Sequence, residues 1–182
     1  MVQAADAGSV TEQNQMGLNK IERLAANHDR SAFSCGVSAI DTYLQRHARQ
    51  DSDRNLAAIY VLTPDSRTII GFYTLSASSI LPTELPEALA NKLPRFPLPA
   101  TLLGRMGVSQ QAQGQRVGKL LLMHALESAF LGSRQVASWA VVVDAKLGAR
   151  DFYLKYEFAP LATNPDRLFL PMQTIQKLFP SS

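Results

Sequence analysis

The stretch TLLGRMGVSQQAQGQRVGKLLLMHALESAF, residues 101–130, decides how the rest of the chain is read. Thr101 to Val108 has the composition of a strand, and Gln110 to Gly118 is polar with two glycines. Val117 to Leu131 is strongly apolar: Leu122, Leu126 and Phe130 share one helical face, with Leu121, Ala125 and Ala129 beside it. A strand, a polar loop and a helix N-terminus in that order make an anion cradle. The first N–H groups of a helix have no partner within it, and the aligned peptide dipoles favour negative charge there. Gly114 and Gly118 let backbone approach a pyrophosphate closely. Two other phosphate loops are excluded. A P-loop needs G-x-x-x-x-G-K-[ST]; here the glycines are one residue too close, and Leu120 stands in place of Ser or Thr. A dinucleotide fingerprint follows the first strand, whereas this loop comes late.

Working outward, the chain alternates strands and helices. Upstream, Asn19 to Leu24 reads as a strand. Ser38 is placed to cap a helix running to about Arg49, with Ile40 and Leu44 on its buried stripe. Leu56–Leu62 and Thr68–Ser76 read as a hairpin around the turn residues Thr63 to Ser66. Thr83 to Glu87 looks like a short helix start, and Lys92 to Pro99, with prolines, like a loop. Downstream, Gln135–Val143 is expected to be a buried strand and Gly148–Tyr156 a short helix. Phe158–Leu161 and Arg167–Leu170 are expected as late strands, and Met172–Phe179 as a closing helix. This order predicts an α/β domain around one central sheet.

At 182 residues the length fits one domain. Residues 1–17 are small and polar without period and are expected to be a disordered leader, with 18–182 a single domain. With 46% hydrophobic and 18% charged residues the chain is neither disordered nor a charged coiled coil. No apolar run approaches the ~18 residues of a membrane span, and the N-terminus has no signal-peptide pattern. A single cysteine, Cys35, forms no internal disulfide and fits a cytoplasmic location; with three scattered histidines it makes no metal site. The net charge of +3 permits an anionic partner without demanding one.

At this point the sequence resembles a known family. Gln113-Gly114-Gln115-Arg116-Val117-Gly118 resembles the acetyl-CoA loop Q/R-x-x-G-x-G/A of the GNAT N-acetyltransferases, with Arg116 at the middle glycine. Phe33-Ser34-Cys35-Gly36 followed by Ile40-Asp41-Thr42-Tyr43-Leu44 resembles the start of one subgroup, the acetyltransferase toxins of type II toxin–antitoxin pairs. Ile70 to Leu75, Leu93 to Ala100 and Leu103 to Val108 resemble further blocks of that subgroup. Ala149-Arg150-Asp151-Phe152-Tyr153 and Tyr156-Glu157-Phe158 resemble A-x-x-F-Y-x-x-x-G-F, with Glu157 in place of the glycine. The resemblance spans roughly residues 18–178.

The resemblance implies a GNAT fold: a central mixed, mostly antiparallel sheet with splayed middle strands and helices on both faces. It also implies attack of an amine on the acetyl-CoA thioester. The pantetheine arm would then run along Met106, Gly107 and Val108. The pyrophosphate would meet the N–H groups of Gln113, Gly114, Gln115, Arg116, Val117, Gly118 and Lys119. Tyr153 matches the tyrosine that protonates the departing thiolate, with Tyr156 as the fallback. The strand Thr101–Val108 has no acid to serve as general base. An α-amine, with a pKa of about 8, is already partly neutral at neutral pH, whereas a lysine at about 10.4 is not. The missing base therefore favours an α-amino acceptor, which agrees with the subgroup's acetylation of aminoacyl-tRNA and arrest of translation. Arg46, Arg49, Arg95 and Arg105 are the candidate RNA contacts, with Arg54 and Lys92 nearby. A ribbon-helix-helix antitoxin and a homodimer are the partners implied. Two other readings stay open: acetyl transfer to a small amine or protein N-terminus, and a CoA-binding module without catalysis. His28, His47, His124, Cys35 and Trp139 are read as structural or surface residues. Asp144 and Lys146 are read either as turn residues or as a border of the acceptor channel.

Overall fold

The computed structural model describes residues 19–146 and 148–180; the expected leader lies outside them. Seven strands form one sheet: β1 (Lys20–Arg23), β2 (Ala58–Thr63), β3 (Gly71–Ile80), β4 (Leu98–Val108), β5 (Ala140–Asp144), β6 (Ala159–Pro160) and β7 (Arg167–Pro171). Their spatial order is β1-β2-β3-β4-β5-β7-β6. Only the β4–β5 pair is parallel. The helices are α1 (Ser38–Thr42), α2 (Ala48–Asp53), α3 (Glu87–Ala90), α4 (Val117–Ser133), α5 (Arg150–Leu154) and α6 (Met172–Leu178). A π-helical turn, Tyr43–His47, joins α1 to α2.

The strand sequences alternate between two faces, as a period of two requires. Leu62, Tyr73, Leu75, Leu103, Val141, Val143, Leu168 and Leu170 pack with α4 and α6 in the largest core cluster. Ile59, Val61 and Phe72 point the other way, onto Tyr43, Leu44 and Ala48 of the first helical segment. Further along that second face, Ile80, Ala100, Val142 and Phe169 pack with Leu85, and Leu89 of α3 adds to them. The expected mixed sheet with helices on both faces is therefore observed.

Several boundaries differ from the sequence expectation, each for a local reason. Ser38 does not cap α1: Val37 occupies the N-cap position and no side chain caps the helix. Asp41 instead reaches back to the entering loop, accepting from the Cys35 N–H at 2.8 Å and the Ser34 hydroxyl at 3.3 Å. The helical segment also runs on to Asp53, through the π-turn. β4 begins at Leu98 despite Pro99. On the β5 side the ladder starts only at Ala100–Ala140, so the proline's missing N–H breaks no rung, while its carbonyl accepts from the Trp139 N–H at 2.7 Å. The strand expected from Gln135 starts at Ala140, after a connection in which Val136 is exposed.

Two positions where the resembling motifs carry glycine hold other residues in left-handed backbone: Arg116 (φ 61°) and Glu157 (φ 66°). That region costs an L-residue ~1–2 kcal/mol, and glycine gives back part of this as unfolded-state entropy. Glu157 is exposed and has no side-chain hydrogen bond or ion pair to lose among the described residues. Glu157→Gly is therefore expected to stabilise the fold by about 0.5–1 kcal/mol, read as a raised midpoint in urea unfolding. A lowered midpoint would show that the strain is offset by contacts of Glu157.

Candidate functional site

The parallel β4–β5 ladder is short. It runs from Ala100–Ala140 to Leu103–Val143 and stops. Beyond it β5 stays with β7, pairing Asp144 with Arg167 and donating the Ala145 N–H to the Asp166 carbonyl at 2.7 Å. β4 stays with β3, pairing Met106, Gly107 and Val108 with Tyr73, Phe72 and Gly71. The strands part at Gly104, and residues 104–108 keep an edge without a β5 partner. Unpaired backbone groups inside a sheet need acceptors and donors from elsewhere. The parting opens between the two strands that the resemblance implied, and Met106, Gly107 and Val108 lie on its unpaired β4 edge.

At the end of β4 the chain makes a 3-10 turn, Gln110–Ala112, and enters α4 through Arg116. From Gly114 to Lys119 no backbone N–H has an acceptor among the described residues. The first acceptor is found by Leu120, which donates to the Arg116 carbonyl at 3.2 Å. Six successive free N–H groups at the start of a 17-residue helix form a receptor for anionic oxygens. Gly114 (φ 78°) has open space where a Cβ would stand, and a Cβ on Gly118 would approach Phe152 at 3.7 Å. The loop opens on a cleft of about 590 Å³ lined by Val108, Gly114, Arg116, Gly118, Lys119 and Tyr156 among others. The donors, glycines and cleft fit the pyrophosphate of acetyl-CoA.

Gln113 departs from the expectation: its backbone N–H donates to the Gln110 carbonyl at 3.4 Å and is not one of the free donors, and its side chain acts instead. The amide donates to the Cys35 carbonyl at 2.9 Å and the Val108 carbonyl at 3.0 Å. It ties the loop to the end of β4 and to the segment before α1, so its side chain shapes the cradle. Gln115 bonds back to the Gln111 carbonyl at 3.1 Å. The Arg116 and Lys119 side chains are exposed at the cleft and add positive charge there.

Tyr153 lies on α5 and is 7% exposed, held among Phe152 and Phe158 at ring distances of 5.2 and 5.4 Å. Its hydroxyl makes no hydrogen bond to a described residue. Burial pushes the phenol up to about 12, so it stays protonated throughout the physiological range. Phe152 and Tyr156, rather than Tyr153, line the cleft outside the loop.

The candidate RNA contacts divide. Arg46 and Arg49 stand with Arg30 and Arg54 around an open hollow of about 510 Å³ on the first helical segment. Arg49 is paired with Asp53 at 3.0 Å, and Arg30 donates to the Gln45 carbonyl at 3.3 Å. Arg105 lies on the part of β4 that has left β5, its guanidinium carbon 3.8 Å from the Tyr43 ring centroid. Arg95 is not brought to them: it precedes Leu98, and β4 rises about 23 Å between Leu98 and Arg105. Arg30 and Tyr43 were missed by sequence reasoning, because helical spacing does not show which loop or strand a residue will face.

The remaining candidates are structural. His28 is buried, its Nδ1 accepting from the Ala25 N–H and its Nε2 donating to Glu22, both at 2.9 Å. His124 Nδ1 lies 2.7 Å from the Tyr73 hydroxyl, and burial lowers its pKa. Burial pushes the Cys35 thiol up to about 11, away from nucleophilic use. Trp139 stacks on Phe169 at 5.9 Å. Asp144 lies 3.5 Å from Arg167. Among the described residues no cluster of three His, Cys, Asp or Glu forms a metal site, and no helix is long and apolar enough to cross a membrane.

Comparison with known proteins agrees with this geometry. The family model described as the acetyltransferase (GNAT) family matches residues 24–158. A probable toxin TacT of Sinorhizobium fredii is 32% identical over 87% of this chain and 93% of its own length. A tRNA-acetylating toxin of Mycobacterium tuberculosis is 28% identical over 89% and 97%. A tyrosine-to-phenylalanine mutant of KacT superposes with a TM-score of 0.85 at 30% identity, covering 89% of this chain and 99% of that one. AtaT complexed with acetyl-methionyl-tRNAfMet gives 0.82 at 31% identity, covering 88% and 99%.

Arg116 combines a strained backbone with a charge at the cleft. Arg116→Gly is expected to raise thermal stability while weakening CoA binding about tenfold, the size of one charge-assisted contact. Calorimetric titration with CoA checks this. Unchanged or tighter binding would show that the guanidinium does not meet the phosphates.

Proposed function

The chain belongs to the GNAT acetyltransferase family, and we propose that it is the toxin of a toxin–antitoxin pair that acetylates the α-amine of aminoacyl-tRNA. The observation that carries the reading is the conjunction of the splay with the cradle. The β4–β5 slot ends at the six free N–H groups of Gly114–Lys119, and no carboxylate lies on β4. Acyl transfer from acetyl-CoA is the activity of this family. The choice of acceptor draws on the missing base and on the relatives. One relative is described as tRNA-acetylating, and AtaT is known in complex with acetyl-methionyl-tRNAfMet.

Acetyl-CoA supplies an activated acyl group and a thiolate leaving group. The cradle holds its pyrophosphate, with Arg116 and Lys119 adding charge. The free edge of Met106, Gly107 and Val108 receives the pantetheine amides. The acceptor amine forms the new C–N bond as the C–S bond breaks; the nitrogen loses one proton and the sulfur gains one, so protons balance. In this reading Tyr153, the tyrosine the motif match singles out, serves this exchange from its buried place on α5. Burial pushes the Tyr153 phenol up to about 12, so it stays protonated and holds a proton for the leaving sulfur. Its contribution is protonation of the leaving sulfur, and the proton released by the amine restores the phenol. The basic hollow of Arg30, Arg46, Arg49 and Arg54 gives the RNA backbone a landing surface.

The partner assignments follow from the same reading. The antitoxin is a ribbon-helix-helix protein, the toxin a homodimer, and the pair cytoplasmic. A solved structure of an AtaT mutant toxin is bound to the C-terminus of its antitoxin AtaR and to acetyl-CoA, which supports a toxin held by an antitoxin tail.

The test is transfer of labelled acetyl from acetyl-CoA to a bulk aminoacyl-tRNA pool. Tyr153→Phe should lose about 10²–10³ in kcat with CoA affinity kept, the scale of one removed donor. Between pH 6 and 9.5 the rate should rise about tenfold per unit below the acceptor's pKa and then stay level, because Tyr153 remains protonated. A fall between pH 8 and 9.5 would assign the donor role to a group of lower pKa. No label on the aminoacyl end, with CoA bound, would turn the reading to small amines or peptide N-termini.

A further inference from the structure

Two irregularities of the fold converge on one side chain. β4 carries one extra residue against β3: Tyr73 pairs with Met106, but Leu75 pairs with Leu103. The bulge lies at Gly104–Arg105, and bulges re-aim side chains. Thr74, itself buried, pins it, its Oγ1 accepting from the Arg105 N–H at 3.0 Å. The helix on the same face departs from α geometry at the same place, in the π-turn that begins at Tyr43. The two distortions bring the Arg105 guanidinium carbon to 3.8 Å from the Tyr43 ring centroid. Beneath it the ladder continues inward, with Phe72 stacked on Tyr43 at 6.5 Å and Phe33 edge-on to Phe72 at 5.4 Å.

Tyr43 is only 5% exposed, and its hydroxyl is buried without a hydrogen-bond partner. Burial first, and then the neighbouring Asp51 carboxylate, push the phenol up to about 12, and Arg105 opposes them. The residue is thus not held for its hydroxyl; what it offers is a ring face. A guanidinium stacked on a ring keeps its N–H edge free for planar or tetrahedral oxygens, and Arg105 has no carboxylate partner among the described residues. It also stands within the part of β4 that has left β5, at the mouth of the slot.

We propose that Tyr43 is a positioning residue, whose ring holds Arg105 as a phosphate-binding fork for the acceptor end of the RNA. The fork fixes the last phosphates of the acceptor so that its amine points into the splay. This rests on the aminoacyl-tRNA reading, and it separates Arg105 from the general charge of the Arg46 surface. Lysine in place of Arg105 keeps the charge but neither stacks nor forks.

The experiment compares wild type, Tyr43→Phe, Tyr43→Leu and Arg105→Lys. Each is measured for binding of a CCA-ended RNA hairpin, for transfer to aminoacyl-tRNA, and for transfer to an aminoacyl methyl ester that has the amine but no phosphate. Tyr43→Leu and Arg105→Lys should weaken RNA binding and raise the KM for aminoacyl-tRNA about tenfold, with a clearly smaller effect on the KM for the ester. Tyr43→Phe should behave as wild type, because it keeps the ring and removes only the orphaned hydroxyl. Equal RNA binding by wild type and Tyr43→Leu would overturn the proposal, as would an equal loss with both acceptors. Wild type that binds the hairpin but gives no labelled aminoacyl-tRNA would count against the acceptor assignment instead, and the binding comparison would still decide the role of Tyr43.

Discussion

The site depends on a parallel ladder that stops after four rungs. A sheet gains by continuing its pairing, so two strands that part inside it leave backbone polar groups exposed along both inner edges. Here each strand is drawn to its other neighbour. β5 follows β7 through Asp144 and on to Ala145, and β4 follows β3 around a bulge at Gly104–Arg105. The unsatisfied edge that remains on β4 is the feature a pantetheine arm, itself a chain of amides, can complete. The slot is thus a defect in one sheet whose free β4 edge offers backbone donors and acceptors to a ligand.

The cradle repeats that logic at the next element. Six free N–H groups would be a liability if buried, but they open on solvent and on the cleft. The loop that presents them is held by the Gln113 amide, which bonds to two carbonyls from different parts of the chain. Arg116 takes the left-handed conformation that glycine fills at this place in the resembling loop, so the departure changes the side chain and not the path of the backbone. The α4 helix that follows is anchored by Leu121, Leu122, Ala125 and Leu126, all nearly inaccessible, which fixes the direction of its dipole against the sheet.

What was legible in the sequence was what depends on local pattern. The strand–loop–helix order around Gly114 and Gly118 was read from polarity and spacing, and the alternating strands from their β-branched runs. Pro99 misled, because a proline argues against a strand unless one knows that the neighbouring ladder has not yet begun. Ser38 misled in the opposite sense: it has the right chemistry for a cap, but Asp41 and the loop before it decided where the helix starts. The π-turn and the β4 bulge carry no periodic signal, since each is a single inserted residue. Their consequence, Arg105 over Tyr43, joins positions 62 apart in the chain and becomes visible only in three dimensions. Tyr153 was found by resemblance alone; its burial and raised pKa, which shape its role, needed the structure.

The central claim is that the six amides from Gly114 to Lys119 are the receptor that orients the donor in the splay. Backbone amide NMR during titration with CoA tests it most directly. The account predicts that these six amides move downfield and slow their solvent exchange, together with amides of Met106 to Val108, while those of the Arg46 surface stay in place. Saturable CoA binding that leaves Gly114–Lys119 unperturbed would contradict it.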